Sequence, residues 1–395
     1  MSSEVQTTHK IGLITAISYT VGDIVGSGIF VTPTSILNHA GSVGLSLCLW
    51  AICAFISLFG ALSYVELGTT IRKSGCDFAY LSYFGWRPLA ASFMWVSTCL
   101  SYPAVLAIQA VSLGEYVITE WAPGGLVLAI YSGLFAYNGW DVLNFGAEEI
   151  ENPRRTLPIA AMSGITISAV VFILMNISYF SVLSVQDFKS SPAVAVTFAE
   201  RTLGDFHYVI PFLISLLLIG SMNTTIFACS RYMHSGAEQG VMPSMLRLVN
   251  LASNSPRMAV FFEVLIAICL SFIGDLDHII SYMSFALWSQ RTATQAGFIY
   301  FKFTGKFNKS ENPDRFIVPI LVPIVFFAIC IMLLVIPIIQ NYQVAIYGLS
   351  LTAGGALIYI VFIYPDTLPN IFYQINDRTV KFCQLIFNAS IPSRA

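Results

Sequence analysis

The stretch GDIVGSGIF, residues 22–30, interrupts an apolar run that otherwise has the composition of one membrane helix. Gly26 and Gly28 flank Ser27, and each glycine costs about 1 kcal/mol relative to alanine in a helix interior. Asp23 stands just before them, although a carboxylate at the bilayer centre costs about 2.5–3.5 kcal/mol on insertion scales. The stretch predicts a helix that breaks inside a membrane, with Asp23 turned toward the interior of a helical bundle.

The rest of the chain has the composition of a membrane protein. Of its 395 residues, 56% are hydrophobic and 10% are charged, whereas soluble domains carry roughly 25% charged residues. A spanning helix needs about 20 apolar residues. We predict ten spans, in residues 11–37, 44–65, 88–114, 121–140, 156–186, 208–230, 258–274, 278–301 and twice within 316–365. Because these runs are continuous and do not alternate, they exclude a transmembrane β-barrel and predict an all-α integral membrane protein.

The distribution of Lys and Arg predicts the orientation. With the N-terminus in the cytoplasm, fifteen of these residues lie at or near the inner side, against Lys189 and Arg201 outside, as the positive-inside rule requires. Both termini of a multi-pass protein are then expected in the cytoplasm. The first ten residues lack an apolar core, so we expect no signal peptide. The net charge of −2 gives no reason to expect a nucleic acid partner.

The positions of the cysteines bear on partners. Six of the eight lie in predicted spans, and Cys76 and Cys383 face the cytoplasm. Since no cysteine falls in a predicted outer loop, a disulfide-linked partner subunit is not expected, and a non-covalent partner stays open.

A second interruption lies in GLFAYNGWDVLNF, residues 133–145, where Gly139 follows Asn138 and precedes Asp141. Paired interruptions at corresponding places are typical of transporters built from two inverted repeats. We divide the chain into residues 1–118 (first part of repeat one, three spans), 119–301 (repeat two, five spans), 302–365 (two further spans) and 366–395 (cytoplasmic tail), and the first span of each repeat is broken. The tail fits either an amphipathic helix on the membrane surface or a disordered segment.

Two broken spans persist only where their free backbone groups line a polar cavity. The half-helix that begins at Ser27 presents free N–H groups and a partial positive charge, which suit a carboxylate. Free carbonyls of residues 24 and 135 suit an ammonium group. An amino acid carries both groups, so the breaks predict an amino acid site.

At these residues the sequence closely resembles the L-type amino acid transporters, light-chain subunits of heteromeric transporters in the amino acid, polyamine and organocation superfamily. The matching motifs are GDIVGSGIFVTP (22–33), ALSYVELGTTIRKSG (61–75), YPAVLAIQAVSLGEYV (102–117), GLFAYNGWDVLNFGAEEIENPRRTLPIA (133–160) and GSMNTTIFACSRYMHSGAEQGVMPSML (220–246). The resemblance implies a leucine-transporter-like bundle that exchanges or passively carries neutral L-amino acids across the plasma membrane by alternating access. It implies no sodium dependence, no cofactor and no enzymatic chemistry.

The chain departs from that family in one place. Only ITEWAP, residues 118–123, separates the third-helix motif from the sixth-helix motif, so the family's fourth and fifth helices have no counterpart. In the family these helices belong to the first repeat and its scaffold, and the cysteine that bonds to the heavy chain precedes them. A second hypothesis is therefore a non-transporting variant that binds or regulates a partner in the membrane.

The resemblance also implies substrate contacts at both interruptions. They are Ile24 through its carbonyl, Gly26, Ser27 and Gly28 in the first, and Phe135 as an aromatic gate, Ala136 and Asn138 in the second. Asn138 stands where the family usually has glycine, so substrate preference does not carry over from relatives.

Three charged residues at membrane depth, Asp23, Asp141 and Arg291, are candidates for polar coupling. Asp23 is either an ion- or proton-coupling acid or an acid bonded to backbone at the break. Arg291 is expected to pair with Asp23 or Asp141, or to reach water, at a position that is mostly apolar in the family. The run EEIENPRR, residues 148–155, forms either inner-gate salt bridges or a solvated charge cluster. We expect no metal site.

Overall fold

The computed structural model describes residues 10–26, 28–115, 126–191, 193–250, 255–271, 276–309, 315–340, 342–365 and 369–390. Ser27 and the connection from Val117 to Gly124 lie outside these residues. The expectations placed on them therefore stay predictions.

The described residues form sixteen α-helices and one pair of short strands. The helices are α1 (Leu13–Ile24), α2 (Gly28–Ala40), α3 (Val43–Thr70), α4 (Cys76–Tyr83), α5 (Arg87–Val96), α6 (Tyr102–Glu115), α7 (Leu126–Ala136), α8 (Pro153–Val182), α9 (Val185–Ser190), α10 (Val194–Leu203), α11 (Val209–Glu238), α12 (Arg257–Ser271), α13 (Leu276–Phe303), α14 (Leu321–Gln340), α15 (Tyr342–Ile358) and α16 (Asn370–Phe387). A π-helical turn, Ser97–Ser101, joins α5 to α6, and a 3-10 helix, Val142–Glu149, follows α7. The strands are β1 (Val249–Asn250) and β2 (Ala389–Ser390).

Local sequence signals explain where several helices begin. The Ser42 hydroxyl accepts the N–H of Leu45 at 3.3 Å at the start of α3, as a helix cap does. Ser184 caps α9 in the same way, accepting the N–H of Asp187 at 3.1 Å. Pro153 opens α8, in a position where its missing N–H costs no helical hydrogen bond.

Long apolar helices dominate the architecture. Six described segments are long and apolar enough to cross a membrane: Leu13–Phe30, Val43–Thr70, Arg87–Ala110, Pro153–Val182, Val209–Glu238 and Ala345–Ile363. Helices also lie over the remaining predicted spans, at α7, α12, α13 and α14. The prediction of an all-α membrane protein is confirmed, and the count of ten spans stays a prediction.

Both predicted interruptions break their helix. α1 ends at Ile24 and α2 begins at Gly28, while α7 ends at Ala136 and gives way to the 3-10 helix. α2 packs against α7, and α1 and α3 both pack against α8. This packing brings the two breaks side by side.

The tail contains the amphipathic helix α16. Phe382 and Leu385 are exposed on it, whereas Val380 and Cys383 are buried. Beyond its end, β2 pairs antiparallel with β1, placing Ser390 opposite Val249. Residues 370–387 are therefore helical, and their place on a membrane surface stays a prediction.

Candidate functional site

Two glycines allow the first break to approach its neighbours closely. A β-carbon on Gly28 would overlap Cα of Ala136, the last residue of α7, and one on Gly26 would overlap Oγ of Ser221 in α11. A larger residue at position 28 would force α2 and α7 apart, because it would meet backbone, whereas one at position 26 would require the Ser221 side chain to turn away. Close packing thus accounts for glycines that helix propensity alone disfavours.

The backbone of the second break packs against the first break at Gly139. Gly139 has a φ of +104°, in a region that side chains with a β-carbon rarely adopt. A β-carbon there would lie 2.5 Å from Oδ2 of Asp23. The second break therefore holds its glycine against an acid of α1.

The two carbonyls predicted to bind an ammonium group already have local partners. Ile24 accepts the N–H of Gly26 at 2.9 Å, and Phe135 accepts the N–H of Asn138 at 3.0 Å. A carbonyl oxygen has two lone pairs. Each carbonyl therefore keeps capacity for one further donor.

A cavity lies between the breaks, with about 720 Å³ of space free of protein atoms, its open mouth included. It is lined by Asp23, Ile24, Gly26, Gly28, Asp77, Tyr102, Val105, Gln109, Phe135, Asn138, Gly139, Asp141, Phe145, Ser221, Thr225, Ala228, Leu287 and Arg291. Of the residues predicted for binding or coupling, every described one except Ala136 lines this cavity. Ala136 is buried against Gly28.

Arg291 is held by an acid and an amide of the second break. Its Nη2 lies 3.1 Å from Oδ2 of Asp141 and donates to Oδ1 of Asn138 at 2.9 Å. The rings of Trp140 and Trp288 have their centroids 4.8 Å and 5.2 Å from its guanidinium carbon. Of the two acids that the sequence left open as partners, the structure selects Asp141.

Polar bonds also join α1, α6 and α11 beside the cavity. Thr224 donates its hydroxyl to Oδ1 of Asp23 at 2.5 Å. The Gln109 amide donates to the hydroxyls of Ser221 at 3.0 Å and Thr225 at 3.1 Å. Among the described residues, the bond of Asp23 thus goes to a side chain of α11 and not to the neighbouring backbone.

Asp77 is a charged lining residue that the sequence analysis missed. It accepts hydrogen bonds from the hydroxyls of Tyr64 and Thr294, the latter at 2.6 Å. Its position just after Gly75, beyond a predicted span, favours a solvated loop. The fold instead buries Asp77 in the first turn of α4, where it lines the cavity, and no local sequence signal indicates this.

Cys76, Asp77 and Asp141 bring one ligand atom each within 4.8 Å of one another. The Asp77 carboxylate is hydrogen-bonded to two hydroxyls, and Asp141 is paired with Arg291. A guanidinium beside these acids opposes a second cation. The arrangement gives no reason to assign a metal.

An ion pair ties the end of the 3-10 helix to α11. Nε and Nη2 of Arg231 donate to the two carboxylate oxygens of Glu149 at 2.7 Å and 2.8 Å. The Ile11 N–H donates to the Glu149 carbonyl at 2.7 Å, and the Glu151 N–H donates to the Ile11 carbonyl at 3.0 Å. One acid of the run 148–155 therefore makes a salt bridge, with a base outside its own motif.

Comparison with known proteins identifies the family. The sequence profile of amino acid permeases matches residues 11–125 and 118–364. The chain belongs to the amino acid permease family. It is 38% identical to Amino acid transporter protein 6 of Caenorhabditis elegans, over 98% of this chain and 90% of the relative. The human cystine/glutamate transporter is 30% identical, over 97% and 91%, and the mouse b(0,+)-type amino acid transporter 1 is 31% identical, over 92% and 90%.

These matches confirm the resemblance to L-type light chains, and with it a multi-pass membrane protein that transports amino acids and is not an enzyme. The two segments that match the permease profile overlap at residues 118–125. The alignment with the worm relative extends over 473 positions, more than the 395 residues of the chain. It therefore includes positions at which the relative has residues and this permease has none.

Proposed function

We propose that this permease carries neutral L-amino acids across the plasma membrane by alternating access, without sodium and by exchange or facilitated transport. The observation that carries the proposal is the meeting of two broken helices at one cavity. The start of α2 suits the substrate carboxylate. The carbonyls of Ile24 and Phe135 suit its ammonium group. Both termini lie in the cytoplasm, following the positive-inside distribution.

The charges of the lining support neutral over acidic substrates. Among the described lining residues, Asp23, Asp77 and Asp141 carry carboxyl groups and Arg291 is the base. Arg291 is already paired with Asp141. The acidic side chain of a substrate would therefore lie near the carboxyl groups of Asp23 and Asp77 with little positive charge to offset the repulsion. Repulsion strengthens where the dielectric constant is low.

The position of Phe135 supports its proposed role as an aromatic gate. Its ring lines the cavity and packs on a small apolar cluster formed by Ala104, Val105, Ile108 and Met283. A ring in this position covers a bound substrate when it turns. The pair of Glu149 with Arg231, which ties the 3-10 helix to α11, is in this proposal the contact that opens to release substrate inward.

Reconstitution in proteoliposomes tests the proposal. We expect saturable uptake of labelled L-leucine or L-phenylalanine that is unchanged when choline replaces sodium. Uptake that requires internal amino acid indicates exchange. Gly28→Ala should abolish binding, because its β-carbon would meet the backbone of Ala136, whereas Gly22→Ala, whose β-carbon would meet nothing within 4 Å, should not. If the two variants bound the labelled amino acid equally well, the assignment of the substrate site to the helix breaks would be refuted.

The meeting of the two permease segments at residues 118–125 favours a second candidate function. Without two scaffold helices, one wall of the cavity is left to lipid or to a non-covalent partner, and the chain acts as a membrane-bound regulator. A chimaera that carries the intervening helices of a relative between Val117 and Gly124 separates the two. Transport by the chimaera but not by the native chain supports the regulator, and equal transport supports the carrier.

A further inference from the structure

A second cavity opens at the start of α5, away from the substrate cavity. It is lined by Lys73, Ala79, Ser82, Tyr83, Arg87 and Gln239, with about 550 Å³ of space free of protein atoms, open solvent included. Lys73 follows α3, and Gln239 follows α11. These segments are joined where the Ser235 hydroxyl donates to the Ser74 carbonyl at 2.7 Å.

The charge of this cavity is positive. None of its six lining residues is acidic, and both Lys73 and Arg87 are exposed. In the part of the chain that the structure describes, neither base makes an ion pair. Glu148 accepts the N–H of Ser74 at 3.3 Å but does not line the cavity. Two cations thus face the same space without a matching acid.

The backbone adds to this positive potential. α5 begins at Arg87, and its capping residue, Trp86, makes no side-chain hydrogen bond to the helix end. The first N–H groups of a helix carry a partial positive charge that favours anions. The Ser82 hydroxyl and the Gln239 amide supply neutral donors beside it.

Aromatic side chains place this cavity near a membrane–water boundary. Tyr83 is exposed and stacks on Phe307, with ring centroids 6.3 Å apart and planes 6° from parallel. Trp86 is half-buried, and Tyr300 on α13 is exposed. Tyr and Trp concentrate at the interfaces of membrane proteins. By the distribution of Lys and Arg, this is the cytoplasmic interface.

We propose that Lys73 and Arg87 form a binding site for a phosphate group, carried by an anionic lipid of the inner leaflet or free in the cytoplasm. Basic pockets between helices on the cytoplasmic side bind phosphorylated headgroups by this chemistry. Arg87 presents a planar fork of donors to phosphate oxygens, and Lys73 supplies a point charge.

Binding to the purified full chain in detergent tests the site without any need for transport. The probes are dioctanoyl phosphatidylinositol 4,5-bisphosphate, inorganic phosphate and zwitterionic dioctanoyl phosphatidylcholine. Removing both charges with Lys73→Gln and Arg87→Gln should weaken binding of the phosphoinositide by about 30-fold, roughly fivefold for each cation. The control pair Arg378→Gln and Lys381→Gln removes the same charge from exposed positions on α16 and should change binding little.

The probes distinguish the two sources of phosphate. Binding of the phosphoinositide alone supports a lipid headgroup, and displacement of that lipid by inorganic phosphate supports a free anion. The charge-preserving pair Lys73→Arg and Arg87→Lys should retain at least part of the binding and so controls for damage to the fold. The proposal is overturned if neither anionic probe binds the native chain, or if the α16 pair weakens binding as much as the Lys73 and Arg87 pair.

Discussion

Asp23 of α1 and Gly139 of the second helix break are in direct contact, since a β-carbon on Gly139 would stand 2.5 Å from Oδ2 and 2.7 Å from Cγ of Asp23. The carboxyl group of one break therefore fills the space that the missing side chain of the other leaves free. The two interruptions depend on each other's residues, although they lie in different parts of the sequence.

Gly139→Ala should lower the melting temperature and abolish uptake. A residue with a β-carbon in a left-handed conformation costs about 1–2 kcal/mol, and the new methyl group must also displace Asp23. Adding Asp23→Ala should restore part of the melting temperature by vacating that space. Gly220→Ala in α11, where a β-carbon would meet nothing within 4 Å, is the control. A melting temperature equal to that of the native protein would contradict the contact.

Arg291→Met should destabilise the protein strongly, because it leaves the buried Asp141 without its cation. Breaking a buried ion pair from one side costs about 3–5 kcal/mol. The double variant with Asp141→Asn should recover most of the loss in thermal unfolding. Arg201→Met, which breaks an exposed pair between α9 and α10, should change the melting temperature little. Additive losses in the double variant would show that the two residues are not coupled.

Glu149→Gln should favour an inward-open state with little loss of stability. The ion pair with Arg231 is partly exposed, so it contributes about 0–1 kcal/mol to folding, yet under the proposed function it is the contact that opens to release substrate inward. We expect faster labelling of a cysteine placed at Ala228, which lines the cavity, measured by mass spectrometry with a reagent added from the inner side. Glu148→Gln is the matched control. Reversing the pair, with Glu149→Arg and Arg231→Glu, should slow labelling again.

The short helix α9 should lose protection from hydrogen exchange in acid. A hydrogen bond from the Ser184 hydroxyl, and then the charge of Arg201, hold the pKa of Asp187 below its ordinary value of 3.8. A depressed pKa means that this stabilisation is fully present above pH 3.8 and is lost as the pH falls through the lower folded value. Hydrogen exchange of α9, corrected for intrinsic rates, should stay constant from neutral pH down to about pH 5 and rise below about pH 4.

Asp187→Asn should remove that dependence on pH, while Asp205→Asn in the following loop should preserve it. A profile that is unchanged by Asp187→Asn would assign the acid sensitivity to another group.

The chain should also lack a reducible partner band on non-reducing electrophoresis. The eight cysteines are free, and among them Cys48, Cys99 and Cys269 are exposed. All three lie within predicted spans, where an extracellular partner cannot reach a thiol. A higher band that disappears on reduction, and with Cys48→Ser, would overturn the predicted topology.

The two helix breaks could be predicted from the sequence because their signal is local. Gly26 and Gly28 stand together in an apolar run, and Gly139 follows Asn138 in another, so helix propensity alone marks them. The breaks themselves predicted a carboxylate site at the start of the second half-helix and an ammonium site at the carbonyls of residues 24 and 135. The gate role of Phe135 and the contacts at Ala136 and Asn138 were implied by the resemblance to the L-type transporters. The structure brings their described members together at one cavity, with Ala136 packed behind it.

The remaining polar groups of the site could not be predicted, because they lie on continuous helices that carry no such mark. Gln109, Ser221 and Thr225 meet only when α6 and α11 pack together. Thr224 reaches Asp23 across 201 residues of sequence. Periodicity places such side chains on a helix face but does not say which other helix they meet.

The hydrogen bonds at both ends of the described chain bear on how the protein can be tagged. Ile11 is bonded to the end of the second break, and Ser390 is paired with Val249 in the loop between α11 and α12. A bulky fusion close to either end would pull on a segment that is joined to the transport bundle. Fluorescent reporters and affinity tags therefore need long flexible spacers. A transport rate measured with a short spacer would include the effect of the tag on the permease.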